Sequence, residues 1–205
     1  MTFLDSLYNM VRIPQLKKRT DHLISIEEVQ DLYDRYAPKF LGLCYRYCGN
    51  REDAEDIMHD GFLSIIRNLG RFQDRGEGSL EAWMKKIMVN TALKYLRSEA
   101  KYRKMLVFGE NSGEADPGDV NENDSYPAVS KEDLLQMITK LPLGYRTVFN
   151  FFVMENYSHK EIGKMLNISE NTSKTQLAKA RSWLQKRIKE LVKDKEYEQY
   201  AASVR

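Results

Sequence analysis

Three carboxylates at helical spacing are the first residues in this sequence whose chemistry has to be decided. Asp53, Asp56 and Asp60 recur every three to four residues, so one side of a helix would carry all three. Carboxylates grouped in this way could bind a magnesium ion. The sequence supplies no phosphate-binding loop, nucleophile–base pair or second acidic cluster to accompany them. We therefore expect neither a metal ion nor a catalytic centre here.

The cysteines and histidines also give no metal-binding pattern. Cys44 and Cys48 lie four residues apart, too close on one helix to staple distant parts of a fold. His22, His59 and His159 are far from one another in sequence, unlike the ligands of a Cys/His zinc site. We expect two reduced or structural cysteines, as in a cytosolic protein, and no cofactor.

The acidic helix instead has the composition of a protein-docking surface. The side chains expected on one side of it are Glu52, Asp56, His59 and Asp60, continued by Leu63 and Ile66. Carboxylates repel nucleic acid, and carboxylates beside exposed aliphatic side chains are typical of a surface that binds another protein.

A later helix carries the opposite charge along one face. Its stripe consists of Lys86, Asn90, Lys94, Arg97 and Lys101, and the polar loop 72–79 precedes it, followed by Trp83. A basic track beside a polar loop and aromatic rings suits unstacked single-stranded bases, each worth about 1–3 kcal/mol when stacked. The alternative is that Trp83 is an ordinary core residue and the lysines only solvate a helix.

Residues 158–184 have the pattern of a helix-turn-helix. Ser158 and Glu161 form a capping box, and Asn167 suits a left-handed turn residue, with Ser169 as the next helix cap. The second helix buries Ser173, Leu177, Ala180 and Leu184 and presents Asn171, Lys174, Thr175, Ala178 and Lys179. Short and basic side chains suit the DNA major groove, and Arg181, Lys186 and Arg187 are expected phosphate partners.

Two observations qualify the helix-turn-helix prediction. An αα-hairpin with a solvated basic face is the simpler alternative, but spacing, capping, turn residue and charge together favour DNA binding. Ser173 stands where such sequences usually carry Val or Ile, and it is expected to weaken packing.

The remaining pattern predicts an all-α protein, because no alternating strand pattern of useful length occurs. Capping boxes begin at Ser25 and Ser130, Pro38 is expected to kink or split the first helix, and Gly49 is expected to end it. The core stripe predicted for the first helix is Val29, Leu32, Tyr33, Tyr36, Phe40, Leu43, Cys44 and Tyr47. The stripe predicted for the second helix is Ala54, Ile57, Met58, Gly61, Phe62, Ile65 and Leu69. The stripe predicted for the third helix is Leu80, Trp83, Met84, Ile87, Thr91, Tyr95 and Leu96. Further on, Leu141-Pro142 interrupts and residues 148–153 are expected to pack.

Charge is sorted into blocks along the 205 residues, although the total is only +2. Residues 51–60 sum to −4, residues 83–104 to +6, residues 105–133 to −7 and residues 157–193 to +6. The Gly-, Asn- and acid-rich stretch 109–127 has little to bury and is too long for a loop within one domain. It is therefore expected to link two domains. The N-terminus lacks the layout of a secretory signal, and no apolar run reaches the ~18 residues of a membrane helix.

Taken together, these residues resemble a known family. Residues 53–57 and 60–62, then 83–90 and 95–97, are similar to conserved region 2 of bacterial sigma factors. Leu141-Pro142, Tyr145-Arg146 and residues 157–181 resemble region 4. Both regions in this order, with only a short linker between them, resemble the extracytoplasmic-function (ECF) group of the sigma-70 family across residues 26–190.

The resemblance implies two small helical domains joined by a flexible acidic linker. A region 2 domain would span 26–104, the linker 105–130 and a region 4 helix-turn-helix domain 131–193. Residues 1–25, an N-terminal extension, and the tail 194–205 receive no assignment. The linker in such proteins runs toward the RNA exit path, where a charge of −7 would suit mimicry of RNA.

The family resemblance also implies a function and the residues that perform it. The protein would bind core RNA polymerase, recognise promoters, melt the minus-ten element and start transcription in the cytoplasm, without being an enzyme or using a small-molecule substrate. An anti-sigma factor, often membrane-bound, would be a further partner. Implied polymerase contacts are Glu52, Asp53, Asp56, His59, Asp60 and Leu63. Implied contacts with the single-stranded minus-ten element are Phe72, Gln73, Asp74, Arg75, Lys86, Asn90, Lys94, Arg97 and Lys101, and the loop 72–79 would hold a flipped base. Implied contacts with the minus-thirty-five duplex are Asn171, Lys174, Thr175, Gln176, Ala178, Lys179 and Arg181.

The sequence departs from the family pattern at two positions and leaves rival functions to test. Lys94 stands where the family often has Asp, and Val89 stands where a basic residue is common, which leaves the minus-ten base preference open. One rival is a two-domain regulator that binds duplex DNA alone; the acidic helix and the linker favour the sigma factor over it. A nucleic-acid-processing enzyme is disfavoured because no catalytic constellation is found.

Overall fold

The computed structural model of the chain describes residues 25–98 and 129–203. The chain divides into two compact units, with the boundary after Ser98. Residues 1–24, Lys101 and residues 105–128 of the predicted linker lie outside the described residues. The described residues contain no β-strand, which confirms the all-α prediction.

Over residues 25–98, three helices build the first unit. They are α1 (Ile26–Cys48), α2 (Arg51–Asn68), which ends in a 3₁₀ turn (Leu69–Arg71), and α3 (Ser79–Ser98). Ser25 and Glu28 form the predicted capping box, because each side chain accepts a hydrogen bond from the other residue's backbone amide. Gly49 ends α1 in a left-handed conformation at φ 88°, as predicted.

Pro38 does not split the first helix, so the prediction of a split is wrong. The proline lies inside α1, which continues on both sides of it. Ala37 and Phe40 beside it are buried. Because packing holds the helix on either side, the lost backbone hydrogen bond is tolerated at an exposed position.

The core of the first unit is aromatic and methionine-rich. Phe40 lies 5.8 Å from Phe62, and Tyr33 lies 4.8 Å from Phe62 between ring centroids. Met84 and Met88 of α3 have no exposed surface. All seven residues of the core stripe predicted for α2 are buried, which confirms that prediction.

The core stripe predicted for α3 is wrong at most positions. The buried residues of α3 are Met84, Met88, Val89, Ala92, Leu93 and Leu96. Of the predicted core residues, Leu80, Trp83, Ile87, Thr91 and Tyr95 are only half-buried. The helix carries apolar side chains on two adjoining faces, and spacing alone selected the face that borders a groove instead of the face that packs on α1 and α2.

Four helices build the part of the second unit that the structure describes, residues 129–203. They are α4 (Lys131–Lys140), α5 (Leu143–Phe149), α6 (His159–Leu166) and α7 (Glu170–Ser203). Both predicted capping boxes are present, at Ser130–Asp133 and Ser158–Glu161. The last helix passes without a break through residue 193, where the predicted domain ended, and reaches Ser203 in the predicted tail.

A wide turn connects α5 to α6. Over Asn150–Met154 the backbone forms a π-helical turn, in which the Glu155 amide donates to the Asn150 carbonyl at 3.0 Å. Phe151 is fully buried, but Val153 is 45% exposed, so the expectation that packing continues to residue 153 is wrong. A wider turn rotates the side chains that follow it, which brings Val153 to the surface.

Two apolar groups stabilise the second unit. Ile138, Leu141, Ala180 and Leu184 form one buried cluster, with Trp183 packed against it. The other buried apolar residues are Val148, Phe151, Ile162, Leu166 and Leu177. Among the described residues of either unit, no helix is both long and apolar enough to cross a bilayer.

Gly163 should tolerate alanine poorly, because an added Cβ would lie 2.9 Å from the backbone carbonyl oxygen of Ile168. We expect Gly163→Ala to lower the free energy of unfolding of the second unit by about 1–2 kcal/mol, since overpacking exceeds the gain in helix propensity. Amide hydrogen exchange of α6 at increasing urea concentrations measures it.

Gly42→Ala in α1 is the matched control, because no heavy atom lies within 4 Å of its added Cβ. It should raise the stability of the first unit by about 0.5–1 kcal/mol. A stabilised or unchanged Gly163→Ala variant would contradict the close contact.

Candidate nucleic-acid and protein interfaces

A groove of about 650 Å³ runs between α2 and α3 in the first unit. From α2 it is lined by Asp56, Ile57, Asp60, Leu63, Ser64 and Arg67, and from α3 by Ile87, Asn90, Thr91, Lys94, Tyr95 and Ser98. Apolar side chains and groups of both charges therefore share one concave surface.

The groove brings together residues that the sequence predicted on two unlike faces. Asp56 and Asp60 are exposed on the α2 side, and Asn90 and Lys94 are exposed on the α3 side. Carboxylates expected to contact a protein thus lie on the same groove as the amide and ammonium groups expected to contact bases. The two faces adjoin instead of being separate.

The aliphatic residues of the acidic face are not exposed, contrary to prediction. Leu63 is 7% exposed and Ile66 is 4% exposed. Leu63 still borders the groove, so it can contribute an apolar edge to a bound partner. Ile66 belongs to the buried core and does not line the groove.

The other predicted docking residues lie outside the groove lining. Glu52 is exposed and His59 is half-buried. Asp53 belongs to the start of α2: its amide donates to the Asn50 side-chain oxygen at 2.8 Å, and its carboxylate accepts from the Asn50 amide group. Asp53 therefore stabilises the helix end. Arg67 also lines the groove, and it was not predicted from the sequence. It follows Asp60 by seven residues, so helical spacing places it on the same side of α2 as Asp56 and Asp60.

The basic stripe of α3 is exposed as predicted over its described part. Lys86, Asn90, Lys94 and Arg97 all lie on the surface of α3. Val89 is only 1% exposed and faces the core, so its apolar side chain does not interrupt the basic stripe.

The loop before α3 is held by its own side chains. The Asp74 carboxylate accepts hydrogen bonds from the Gly76 amide at 3.0 Å and the Ser79 hydroxyl at 2.8 Å. These two donors lower the pKa of Asp74 below its ordinary value, the Gly76 amide contributing most. The Ser79 hydroxyl oxygen also accepts from the Arg75 amide at 3.2 Å. The loop is therefore ordered in the free chain.

Two aromatic rings connect this loop to α3. The ring of Phe72 lies 5.4 Å from the ring of Trp83 between centroids. Trp83 is half-buried, so part of its ring packs in the protein and part is accessible for stacking. Gln73, Asp74 and Arg75 are exposed beside the pair.

The helix-turn-helix of the second unit has the predicted turn. Asn167 adopts the left-handed conformation at φ 56° and ψ 46°, and the Ile168 amide donates to the Gly163 carbonyl at 3.0 Å. The Ser169 hydroxyl accepts from the Thr172 amide at 2.9 Å, which caps α7 as predicted.

The exposed side of α7 largely matches the prediction. Asn171, Lys174, Thr175, Ala178 and Arg181 are exposed, and Lys179 is half-buried. Gln176 is only 2% exposed, so placing it on the DNA-facing side is wrong. Its side-chain amide lies against Gly144, where an added Cβ would be 3.4 Å from the amide oxygen.

Ser173 was expected to weaken the packing between the two helices, but it also forms a polar contact between them. It is fully buried, and a hydrogen bond of 2.9 Å joins its hydroxyl to Nδ1 of His159 at the start of α6. Burial lowers the pKa of His159, with a further contribution from Lys174, against an opposing effect of Glu170. A polar link thus replaces the usual aliphatic contact.

Lys174 is held by its own helix in the free chain. Its ammonium group lies 2.8 Å from the Glu170 carboxylate, one turn earlier. That hydrogen bond and charge lower the pKa of Glu170. DNA that binds Lys174 must compete with this surface ion pair, which is worth at most about 1 kcal/mol.

Over residues 25–98 and 129–203, no three His, Cys, Asp or Glu side chains are grouped to hold a metal ion. Cys44 and Cys48 are free thiols, and burial raises the pKa of Cys44 to about 12.

The fold and these surfaces define the class of protein: an all-helical, two-unit chain with a helix-turn-helix in its second unit. Comparison with known families matches residues 32–102 to sigma-70 region 2 and residues 131–184 to sigma-70 region 4.

Relatives match most of the chain. The ECF RNA polymerase sigma factor SigW of Bacillus subtilis is 30% identical over 187 residues, which cover 88% of this chain and 96% of SigW. The ECF RNA polymerase sigma-E factor of Haemophilus influenzae is 26% identical over 168 residues, 78% of this chain and 87% of that protein. The solved sigma factor RpoE of Bartonella quintana, in complex with the anti-sigma factor NepR, aligns with a TM-score of 0.47 at 15% identity, over 80% of this chain and 98% of that one.

This chain belongs to the ECF group of the sigma-70 family of bacterial RNA polymerase sigma factors. Its function is that of the group, promoter recognition on behalf of RNA polymerase.

Replacing Asp74 should loosen the loop without unfolding the unit. Asp74→Ala removes acceptors from the Gly76 amide and the Ser79 hydroxyl. At about 1 kcal/mol per hydrogen bond, amide exchange of Gly76 should accelerate roughly fivefold or more, while the melting temperature hardly changes. Glu77→Ala, an exposed acid in the same loop, is the control. Unchanged exchange in Asp74→Ala would show that Asp74 does not hold the loop.

Proposed function

We propose that this chain binds core RNA polymerase through its first unit and positions the polymerase on promoters with both units. The observation that carries the proposal is the groove between α2 and α3, where groups suited to a protein partner adjoin groups suited to bases. The second unit adds a helix-turn-helix with an exposed basic face. The protein would act in the cytoplasm, where polymerase and promoters are.

The acidic side of the groove is proposed to dock on the clamp coiled coil of the polymerase. Asp56 and Asp60 are exposed there, and Leu63 supplies an apolar edge. Glu52 and His59 would extend the contact along α2, while Asp53 acts mainly at the helix end. Exposed carboxylates steer a basic partner and set its register more than they raise raw affinity.

The basic side and the ordered loop are proposed to capture the melted minus-ten element. Lys86, Lys94 and Arg97 would follow the phosphate backbone, and the Asn90 amide would reach a base edge. The loop with Phe72, Gln73 and Arg75 would hold a flipped base against aromatic side chains, and Lys101 would extend the stripe. A preordered loop lowers the entropy lost on binding.

The exposed face of α7 is proposed to read the minus-thirty-five element as duplex. Asn171, Lys174, Thr175 and Ala178 would face the major groove, with Lys179 and Arg181 nearer the phosphates. No catalytic step is assigned to the chain, because the polymerase supplies the chemistry of transcription.

The proposed domain organisation follows the two units. A region 2 domain spans 26–104 and a region 4 domain begins at 131, with the acidic segment 105–130 between them. That segment carries most of a block of net charge −7, which suits a path that RNA later occupies. An anti-sigma factor is proposed as the regulatory partner of both domains.

Run-off transcription over a promoter library tests the function. Core polymerase with this chain should produce specific transcripts that core polymerase alone does not. If specific transcripts fail to appear while the chain binds duplex DNA tightly on its own, the two-domain regulator would replace the sigma factor.

Removing the two groove carboxylates should weaken polymerase binding. We expect Asp56→Ala with Asp60→Ala to reduce co-purification with core polymerase about tenfold, as loss of a central contact typically does. Duplex binding by the second unit should persist.

Glu27→Ala with Asp31→Ala is the control for that double variant. It removes two exposed acids at the same four-residue spacing on α1, away from the groove. If both double variants lost the same affinity, net charge would explain the effect and the groove would not be the docking site.

Lys174→Ala should relax minus-thirty-five specificity at one base pair. A base contact would make discrimination there fall by about 1–3 kcal/mol. Binding to sequences altered at each position in turn measures it. A uniform loss across all sequences, with a shallower salt dependence, would make Lys174 a phosphate contact instead.

A further inference from the structure

A stack of three side chains lies beside the exposed face of α7. Phe152, in the π-helical turn, lies 4.4 Å from the ring of His159 between centroids, with the planes 20° apart. The guanidinium carbon of Arg181 lies 6.0 Å from the Phe152 ring centroid. Phe152 thus neighbours both an imidazole and a guanidinium.

The imidazole end of this stack is anchored in the protein. The hydrogen bond of 2.9 Å between His159 Nδ1 and the Ser173 hydroxyl ties the ring to a residue with no exposed surface. Burial, and next Lys174, keep the pKa of His159 below its ordinary value, which favours the neutral ring near pH 7. A neutral imidazole adds no second cation beside the Arg181 guanidinium, whose charge also lowers the pKa of His159.

The chain of contacts begins and ends on the same helix. It leaves α7 at Ser173, passes through His159 and Phe152, and returns to α7 at Arg181, eight residues further on. Eight residues span about 12 Å of helix. The stack therefore braces one side of α7 over about two turns and offers Arg181 an aromatic surface against which its guanidinium can rest.

We propose that Phe152 and His159 are positioning residues for Arg181 in duplex recognition. This inference rests on the proposed function, in which α7 reads the minus-thirty-five element. An exposed arginine otherwise loses much of its rotamer freedom when it binds DNA. The stack restricts the guanidinium beforehand, so that less freedom is lost on binding.

The double-mutant cycle between Phe152 and Arg181 tests this coupling in the full-length chain bound to core polymerase. The probe is a promoter duplex that gives a specific transcript in the run-off experiment with the unaltered chain. The dissociation constant of this duplex from the complex is measured for each variant. Phe152→Leu should weaken binding about three- to tenfold, and it should weaken binding no further when Arg181→Ala is already present.

Phe149→Leu is the matched control, because Phe149 packs against the other cluster of the same unit. Its effect on binding should be the same with and without Arg181→Ala. If Phe152→Leu were equally independent of Arg181→Ala, Phe152 would act through the fold and the proposal would be overturned. An Arg181→Ala variant that binds promoter normally while run-off transcription persists would overturn it as well.

A second measurement keeps the test informative if Phe152→Leu unfolds the unit. His159→Gln removes the imidazole from the stack, and side-chain NMR relaxation of the Arg181 guanidinium in the free chain reports its mobility. We expect greater mobility in His159→Gln and no change in Lys174→Ala. Unchanged mobility in His159→Gln would overturn the proposal. Loss of run-off transcription by the unaltered chain would instead sink the proposed function and this inference together.

Discussion

In both units a helix glycine admits a neighbour closer than a Cβ would allow, the end of a methionine side chain in the first unit and a backbone carbonyl in the second. At Gly61 of α2, an added Cβ would lie 2.3 Å from the sulfur of Met88 in α3. This approach brings α2 and α3 together, so that Asp60 and Lys94 can border one groove. At Gly163, the close neighbour is the backbone of the turn that aims α7.

The net charge of +2 hides an arrangement that the structure makes specific. Acidic and basic blocks lie on successive helices of the first unit, and the packing of those helices makes the blocks adjoin. A sigma factor must hold RNA polymerase and promoter DNA together. A groove with both charges on its rim is consistent with that double requirement, and a uniformly basic surface would not meet it.

Local chemistry in the sequence predicted the helix ends well. The capping boxes at Ser25, Ser130 and Ser158 and the left-handed Asn167 depend only on residues within one turn, so their patterns were sufficient. The face that α3 buries could not be predicted in the same way. Ile87 and Tyr95 were predicted in the core and Met88 was not, and only contacts with the other helices decide which of them is buried.

The burial and the partners of polar residues were the other features that the sequence did not predict. Gln176 is polar and spaced like its exposed neighbours, and nothing local indicates that Gly144 leaves room for it inside. Ser173 was noticed as unusual, but its partner His159 lies 14 residues away. The stack of Phe152 on His159 was also missed, because it depends on how the π-helical turn presents Phe152.

Permanganate footprinting of promoter thymines tests the central claim, that one chain holds polymerase and melted promoter at once. We predict that thymines of the minus-ten element become reactive only when core polymerase and this chain are both present. Reactive thymines with the chain alone would contradict that account. So would a promoter that the complex binds at the upstream duplex but leaves fully paired at the minus-ten element.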